Sequence, residues 1–97
     1  MRPMTDKQLI RLVRSFRKGI LGGRSSALMC AAVCWPLASL LELNGVRCEA
    51  VETELEHINH VWIKLADGRA LDPTADQFGT LPDVYLGPPL AIHGVTA

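Results

Sequence analysis

The sequence is poor in aromatic residues and has no excess of either charge sign. Five of its 97 residues are aromatic, and ten basic residues are balanced by ten acidic ones. Nucleic-acid-binding domains usually carry a basic excess and stacking aromatic side chains, so this composition does not favour such a function. The apolar fraction of 48% is typical of a folded domain, and the length predicts a single one.

Long apolar runs and a full cysteine framework are also missing. The longest apolar stretch covers residues 27–41, which is shorter than the roughly 20 residues that cross a bilayer. It therefore predicts a buried core helix and no membrane partner. The N-terminal residues hold no apolar segment of secretory-signal length. Together with three cysteines, an odd number, this predicts reduced thiols and a cytoplasmic location.

The charges are segregated along the chain although their sum is zero. Residues 1–24 contain seven basic residues and one acidic residue, whereas residues 25–97 contain three basic and nine acidic residues. A basic segment can bind nucleic acid, an acidic membrane or an acidic partner. We favour a simpler interpretation, in which the segment is the solvated face of one helix that lies beside the acidic remainder of the domain.

Apolar periodicity predicts two helices in the first half of the chain. Thr5 and Gln8 have the spacing of a capping box, and apolar side chains follow at helical intervals. These side chains are Leu9, Leu12, Val13, Phe16 and Ile20. The second helix is predicted over residues 25–45, with Ser25 or Ser26 as its cap. Because it is apolar nearly all round, we expect it to form the centre of the core.

The second half of the chain predicts antiparallel strands within residues 46–74. Strand patterns cover residues 46–55, which have an acid-rich exposed side, then residues 60–65 and residues 69–72. Residues 75–97 are predicted to be an irregular tail, since prolines separate isolated apolar residues there. Two helices followed by a strand meander predict the α+β class.

Three residue types with complementary chemistry occur at the ends of these elements. Cys30 lies on the buried helix, His60 opens one strand, and Asp72 closes the next. Attack of a thiolate on a carbonyl needs a base beside the sulfur and a third group that orients the base. A cysteine near the start of a helix also gains from the helix dipole, which favours the thiolate.

The hairpin between the last two strands decides whether His60 and Asp72 can meet. With a two-residue turn, Asp72 would face away from His60, because side chains alternate along a strand. With a three-residue loop over residues 66–68, Asp72 lies opposite Trp62 and shares one sheet face with His60, about 7 Å away between Cα atoms. We therefore predict the three-residue loop, with Gly68 in a left-handed conformation.

These residues together resemble a known family. Cys30 followed fifteen residues later by Gly45, then His60-Val61-Trp62, then Leu71-Asp72-Pro73-Thr74, resembles the transglutaminase-like branch of the papain-like thiol enzymes, including its small bacterial and phage-borne members. The resemblance implies a cysteine-bearing helix packed on a small antiparallel sheet. It also implies roles as nucleophile for Cys30, general base for His60 and orienter for Asp72.

The implied activity is that of a thiol enzyme acting on an amide or thioester carbonyl of a peptide or protein substrate. That superfamily includes peptidases, peptide deamidases, cross-linking transferases and leader peptidases of lasso-peptide maturation. The alternative function is a non-catalytic binding module on the same fold, phage-encoded or accessory, that recruits an acidic partner. Nucleic-acid binding is a third and weaker hypothesis, and its candidate residues are Arg11, Arg14, Arg17 and Lys18.

Other residues have alternative interpretations at this point. Cys34, followed by a tryptophan, is the rival nucleophile, and Cys48 is interpreted as a core residue. Asp72 can instead cap the turn made with its following proline. His93 in the tail carries no functional indication. Several further side chains are assigned by position, as rim residues of a cleft (Asp76, Gln77), as packing (Trp35, Trp62) or as a solvated neighbour of the site (His57).

A zinc site is the remaining alternative. Cys30, Cys34, His57 and His60 are eligible ligands, but their spacing differs from that of zinc fingers. The two histidines are also predicted on opposite faces of a strand. No metal or other cofactor is therefore expected.

Overall fold

The protein is a small α+β domain, described here from a computed structural model that covers residues 4–56 and 58–95. Within those residues it has two helices and a four-stranded antiparallel sheet with strand order β1-β2-β3-β4. The elements are α1 (Asp6–Leu21), α2 (Cys30–Leu43), β1 (Cys48–Glu54), β2 (Asn59–Leu65), β3 (Ala70–Asp72) and β4 (Tyr85–Gly87). Neither helix in this part of the chain combines the length and apolarity that a membrane crossing requires.

Helix α1 has the predicted capping box. The Thr5 hydroxyl accepts a hydrogen bond from the backbone of Gln8 at 3.1 Å, and the Gln8 side chain accepts one from the Thr5 backbone at 2.9 Å. Gly19 lies inside the helix, and the left-handed Gly22, with φ 56°, ends it. Its buried side chains come from the predicted apolar stripe and from Leu21.

Helix α2 begins five residues later than the sequence predicts, at Cys30 rather than at a serine cap. Leu28 has a left-handed backbone, with φ 61°, which a right-handed helix cannot include. The Ser26 hydroxyl donates to the Asp76 carboxylate at 2.6 Å and is therefore not free to cap the helix. The consequence is that Cys30 occupies the first turn of the helix.

Helix α2 contributes to the core from one side only, which is less than the central position that the sequence predicts. One side of the helix packs on the sheet and on α1, with Val33, Cys34, Leu37 and Leu41 fully buried. The opposite side is uncovered, and Trp35, predicted to be a core residue, is 53% exposed. In a two-layer domain of this size, no further layer covers the outer side of α2. The apolar residues on that side of the helix are therefore exposed.

The hairpin from β2 to β3 has the predicted three-residue loop. Ile63 lies opposite Leu71 and Lys64 lies opposite Ala70, which is the register that puts position 72 opposite position 62. Gly68 has the predicted left-handed backbone, with φ 91°, and a side chain there would be strained.

The tail is more ordered than the sequence predicts. Residues 75–97 were expected to be irregular, but β4 pairs with β3, with Leu86 opposite Leu71. Two short 3-10 turns, Ala75–Phe78 and Ala91–His93, flank that strand. A three-residue strand between glycine and proline residues is too short to show a period in the sequence, which explains why it was missed.

Both faces of β2 are covered. Val61, Ile63 and Leu65 point into the main apolar core, which they form with side chains of α1 and α2. His60 and Trp62 alternate with them and are also buried, so they lie against the opposite face of the sheet. The tail covers that face, since His93 contacts the rings of both residues.

Helix α1 is tied to the segment after β3 by an arginine. The Arg17 guanidinium donates to the carbonyls of Pro73 at 2.9 Å and Asp83 at 2.8 Å, and to the Asp76 carboxylate at 3.1 Å. Arg14 pairs with the Asp83 carboxylate at 2.8 Å. Both arginines lie beside acidic residues of the second half of the chain, as the favoured interpretation expects, but only Arg14 is on a solvated face, because the Arg17 side chain is 13% exposed.

We expect Arg17→Met to lower the free energy of unfolding by about 2–3 kcal/mol, because the Pro73 and Asp83 carbonyls lose a partly buried donor and the Asp76 carboxylate loses one of its donors. Arg14→Met is the matched control: it makes the same chemical change at a side chain that is 52% exposed, where ion pairs contribute little. Urea denaturation of both variants measures the difference. Equal losses would contradict a special role of Arg17 in docking α1.

Candidate active site

Cys30 is the first residue of α2, and the helix dipole therefore acts on its sulfur. Its residue surface is 7% exposed. Within residues 4–56 and 58–95, the hydrogen-bond partner of the thiol is the Asn59 carbonyl, with Sγ and O 3.9 Å apart. The sulfur thus lies over the first residue of β2, next along the chain to His60.

His60 and Asp72 form a buried pair. The Nε2 atom of His60 lies 2.7 Å from Oδ2 of Asp72, and both side chains are fully buried. The carboxylate can only accept, so Nε2 carries the proton and Nδ1 of the neutral ring is left as the basic atom. Phe78 contacts the ring edge to face at 4.7 Å between centroids. The predicted meeting of these two side chains is confirmed.

Gln77 connects the basic nitrogen of His60 to the loop in front of Cys30. Its amide nitrogen lies 3.0 Å from the Thr74 hydroxyl and 3.5 Å from Nδ1 of His60. Its amide oxygen accepts a hydrogen bond from the Leu28 backbone at 3.3 Å. The sequence placed Gln77 only at a cleft rim, yet it contacts the imidazole itself.

In the described part of the chain, the Cys30 thiol and the His60 ring have separate hydrogen-bond partners. Asn59 accepts the thiol hydrogen, and the Gln77 amide faces Nδ1 of His60. Hydrogen bonds of catalytic groups are often loose without substrate and tighten when it binds. The 3.5 Å separation between Gln77 and His60 is long for a hydrogen bond, so that contact is readily exchanged for another.

Asp72 is held as an ion by four hydrogen-bond donors. Oδ1 accepts from the Thr74 backbone at 3.0 Å and from the Thr74 hydroxyl at 3.5 Å. Oδ2 accepts from His60 at 2.7 Å and from His93 at 2.8 Å. Burial acts to raise the pKa of Asp72, but the hydrogen bonds from His60, His93 and Thr74 outweigh it and hold that pKa below its usual range.

His93 is the residue of this site that the sequence did not indicate. It was set aside as a tail residue, but its side chain is fully buried and bonded to Asp72. The Trp62 ring packs 4.8 Å from it, and the Trp62 ring nitrogen donates to the Thr53 hydroxyl at 2.8 Å. Trp62 was predicted to pack beside His60, and its described ring contact is with His93. A short turn 33 residues after His60 left no local pattern that could reveal this contact.

The other two cysteines lie in environments that suppress the thiolate. Cys34 is fully buried and donates to the Val61 carbonyl at 3.3 Å. Burial, followed by the charges of Asp72 and Cys30, raises the pKa of Cys34 far above its ordinary value. Burial, followed by Glu42, raises the pKa of Cys48 to about 11. The structure therefore favours Cys30 over Cys34 as a nucleophile.

His60, Asp72 and His93 also bring three metal-ligand atoms within 4.8 Å of one another. The Leu90 backbone donates to Nδ1 of His93 at 2.9 Å, so the proton of the neutral ring is on Nε2, the atom that faces Asp72. A nitrogen that carries a proton cannot ligate a metal. These donors therefore fit a hydrogen-bond network better than a metal site. His57, a member of the zinc set considered from the sequence, lies outside the described residues.

Comparison of the chain with protein-family models, curated proteins and solved structures finds no match. The resemblance to transglutaminase-like enzymes accordingly stays a prediction from a few residues.

The ionised Asp72 predicts a specific pH dependence of stability. A carboxyl whose pKa is lowered by folding contributes stability above its unfolded pKa, about 3.9, and loses that contribution as the pH falls through the folded pKa. Asp72→Asn removes the carboxyl, so we expect this variant to be about 2–4 kcal/mol less stable at pH 7 and to lack that part of the acid-induced loss. Urea unfolding between pH 2 and 7 tests this. If the free energy of unfolding falls with decreasing pH equally in the two proteins, the prediction is wrong.

Proposed function

We propose that this protein is a thiol enzyme that attacks an amide or thioester carbonyl through Cys30, with His60 as general base and Asp72 as its orienting group. The observation that carries the proposal is the buried bond between His60 Nε2 and Asp72 Oδ2, 2.7 Å long. It fixes the tautomer that leaves Nδ1 basic, and Gln77 connects that nitrogen to the loop before Cys30. A base oriented in this way and a cysteine at a helix start are the two parts that activation of a thiol requires.

The chemistry follows from these positions. His60 Nδ1 takes the proton of the Cys30 thiol, which requires the side chain of Gln77 to give up its long contact with Nδ1. The thiolate sulfur then bonds to the carbonyl carbon, and the amine or thiol leaving group departs with the proton from His60. Water or an amine then attacks the resulting thioester while His60 takes its proton, and that proton returns to the Cys30 sulfur as the carbon–sulfur bond breaks. The backbone N–H of Cys30, at the start of α2, is the proposed donor to the developing oxyanion.

The same features support a transglutaminase-like assignment of the fold. A helix that starts at the cysteine packs on an antiparallel sheet, the histidine lies at the start of β2, and the aspartate ends the neighbouring strand β3. All three placements agree with what the resemblance implies for the family. The peptide or protein nature of the substrate is part of this proposal.

A non-catalytic binding module is the competing function, and one observation favours it. The thiol of Cys30 is bonded to Asn59 and the base nitrogen of His60 is covered by Gln77, so the resting site is satisfied without a substrate. Recruitment of an acidic partner by α1 would rest on Lys7, Arg11 and Lys18, which are exposed. Arg14 and Arg17 are paired within the domain, which weakens the same argument for nucleic acid.

Thiol alkylation by iodoacetamide at pH 6 and pH 8, with mass spectrometry to locate the label, separates the two functions. We expect Cys30 to react at pH 6 about tenfold faster than Cys34 or Cys48, because the proposed base and the helix start would both favour its thiolate. His60→Ala should reduce the rate at Cys30 about tenfold or more. Cys34 and Cys48 of the same molecule serve as internal references.

The controls address loss of structure. His60→Gln keeps a polar side chain of similar length, and it should slow Cys30 as His60→Ala does while the circular dichroism stays unchanged. Fast labelling of the fully buried Cys34 in any variant would report unfolding rather than chemistry. If all three thiols of the wild type react slowly and alike, the enzyme proposal is wrong and the binding module becomes the better hypothesis.

A further inference from the structure

Two imidazoles share one carboxylate oxygen in the interior of this domain. Oδ2 of Asp72 lies 2.7 Å from Nε2 of His60 and 2.8 Å from Nε2 of His93, and all three side chains are fully buried. A thiol enzyme of the proposed kind needs only one of these imidazoles as its base. The second imidazole is therefore not needed as a base.

The tautomer of His93 is determined by its surroundings. Its Nδ1 atom accepts a hydrogen bond from the Leu90 backbone at 2.9 Å, so in the neutral ring the proton is on Nε2 and points at Asp72. Protonation of Nδ1 would replace this accepted bond with a clash between two N–H groups. His93 is thus built to donate to Asp72 as a neutral group.

The ring of His93 is held rigidly from several directions. Trp62 of β2 packs on it at 4.8 Å and Tyr85 of β4 stacks on it at 5.8 Å between ring centroids. The Thr53 hydroxyl of β1 lies 3.5 Å from the His93 carbonyl. Three strands of the sheet therefore position a donor that comes from the end of the chain.

We infer that His93 is a positioning residue, which orients the Asp72 carboxylate toward His60 and keeps it ionised without adding a second positive charge. The inference rests on the proposed function, since Asp72 is there the orienting group of the catalytic base. A neutral donor is suited to this task, because a charged one would compete with protonated His60 for the same carboxylate. With the Thr74 backbone on Oδ1, His93 determines how the carboxyl plane is turned.

Two substitutions separate the positioning role from packing. In His93→Asn, the side-chain oxygen can replace Nδ1 as acceptor for Leu90, but nothing reaches Asp72. In His93→Gln, the amide nitrogen can replace Nε2 as donor to Asp72. Both variants remove the aromatic ring, so the loss of contacts with Trp62 and Tyr85 is shared between them.

The first readout is the titration of the Asp72 carboxyl carbon by nuclear magnetic resonance. His93 is one of the donors that lower the pKa of Asp72, so we expect His93→Asn to move that titration upward by about one pH unit and His93→Gln to stay near the wild type. The ionisable groups around Asp72 are His60 from β2, His93 itself, Cys34 from α2 and Tyr85 from β4. His60, Cys34 and Tyr85 are unchanged in both variants.

The second readout is the rate of Cys30 alkylation at pH 6. A mispositioned Asp72 should lower the alkylation rate of Cys30 about tenfold in His93→Asn. His93→Gln should restore most of that rate. A merely structural His93 would give equal rates and equal Asp72 titrations in the two variants, and that result would overturn the inference. The nitrogen chemical shifts of His93 provide a further check, since a proton on Nδ1 in the wild-type protein would also overturn it.

The two proposals fail in different ways. If Cys30 of the wild type is unreactive, the enzyme proposal is wrong, whatever Asp72 and His93 do. If Cys30 is reactive and His60-dependent but the two His93 variants behave alike, the enzyme proposal stands and the positioning role of His93 is wrong.

Discussion

The structure depends on one buried negative charge, the carboxylate of Asp72. An ionised carboxyl in the interior is unfavourable by several kcal/mol unless donors surround it. Here the donors come from β2, from the turn that follows β3 and from the turn at Ala91–His93. These parts must all be in place before the charge is satisfied. The interaction that orients the candidate base therefore also holds the tail against the sheet.

A second set of hydrogen bonds joins helix α1 to the segment that follows β3. Arg17 reaches from α1 to the carbonyls of Pro73 and Asp83, on either side of the short turn that carries Gln77. Asp76 accepts hydrogen bonds from both Arg17 and Ser26. It therefore links Arg17 to the loop before Cys30. Arg17 and Arg14 of the basic helix thus form ion pairs with acidic residues of the second half of the chain. These two basic residues stabilise the fold.

The candidate site combines a prepared base with a closed resting state. His60 has its tautomer fixed by Asp72, whereas the Cys30 thiol and His60 Nδ1 each have another partner, Asn59 and Gln77. In the proposed mechanism the Cys30 thiol replaces the long Gln77 contact with Nδ1 of His60. The left-handed Leu28 stores backbone strain next to the cysteine. Strain of this kind is common where a loop must hold a reactive group in one geometry. The exposed outer face of α2 lies alongside, with Trp35 half in solvent.

The features that could be predicted from the sequence are local. The Thr5 cap, the class of each long element, the three-residue loop at Gly68 and the meeting of His60 with Asp72 all follow from spacing within a few residues or one hairpin. Other features required the tertiary structure: the start of α2 at Cys30, the exposure of Trp35, strand β4 and the place of His93. They depend on which surfaces remain uncovered and on contacts between residues far apart in the chain, for which periodicity gives no signal. His93 is the clearest case, because its role arises only when the tail folds over the outer face of the sheet and meets a charge that the sheet has already buried.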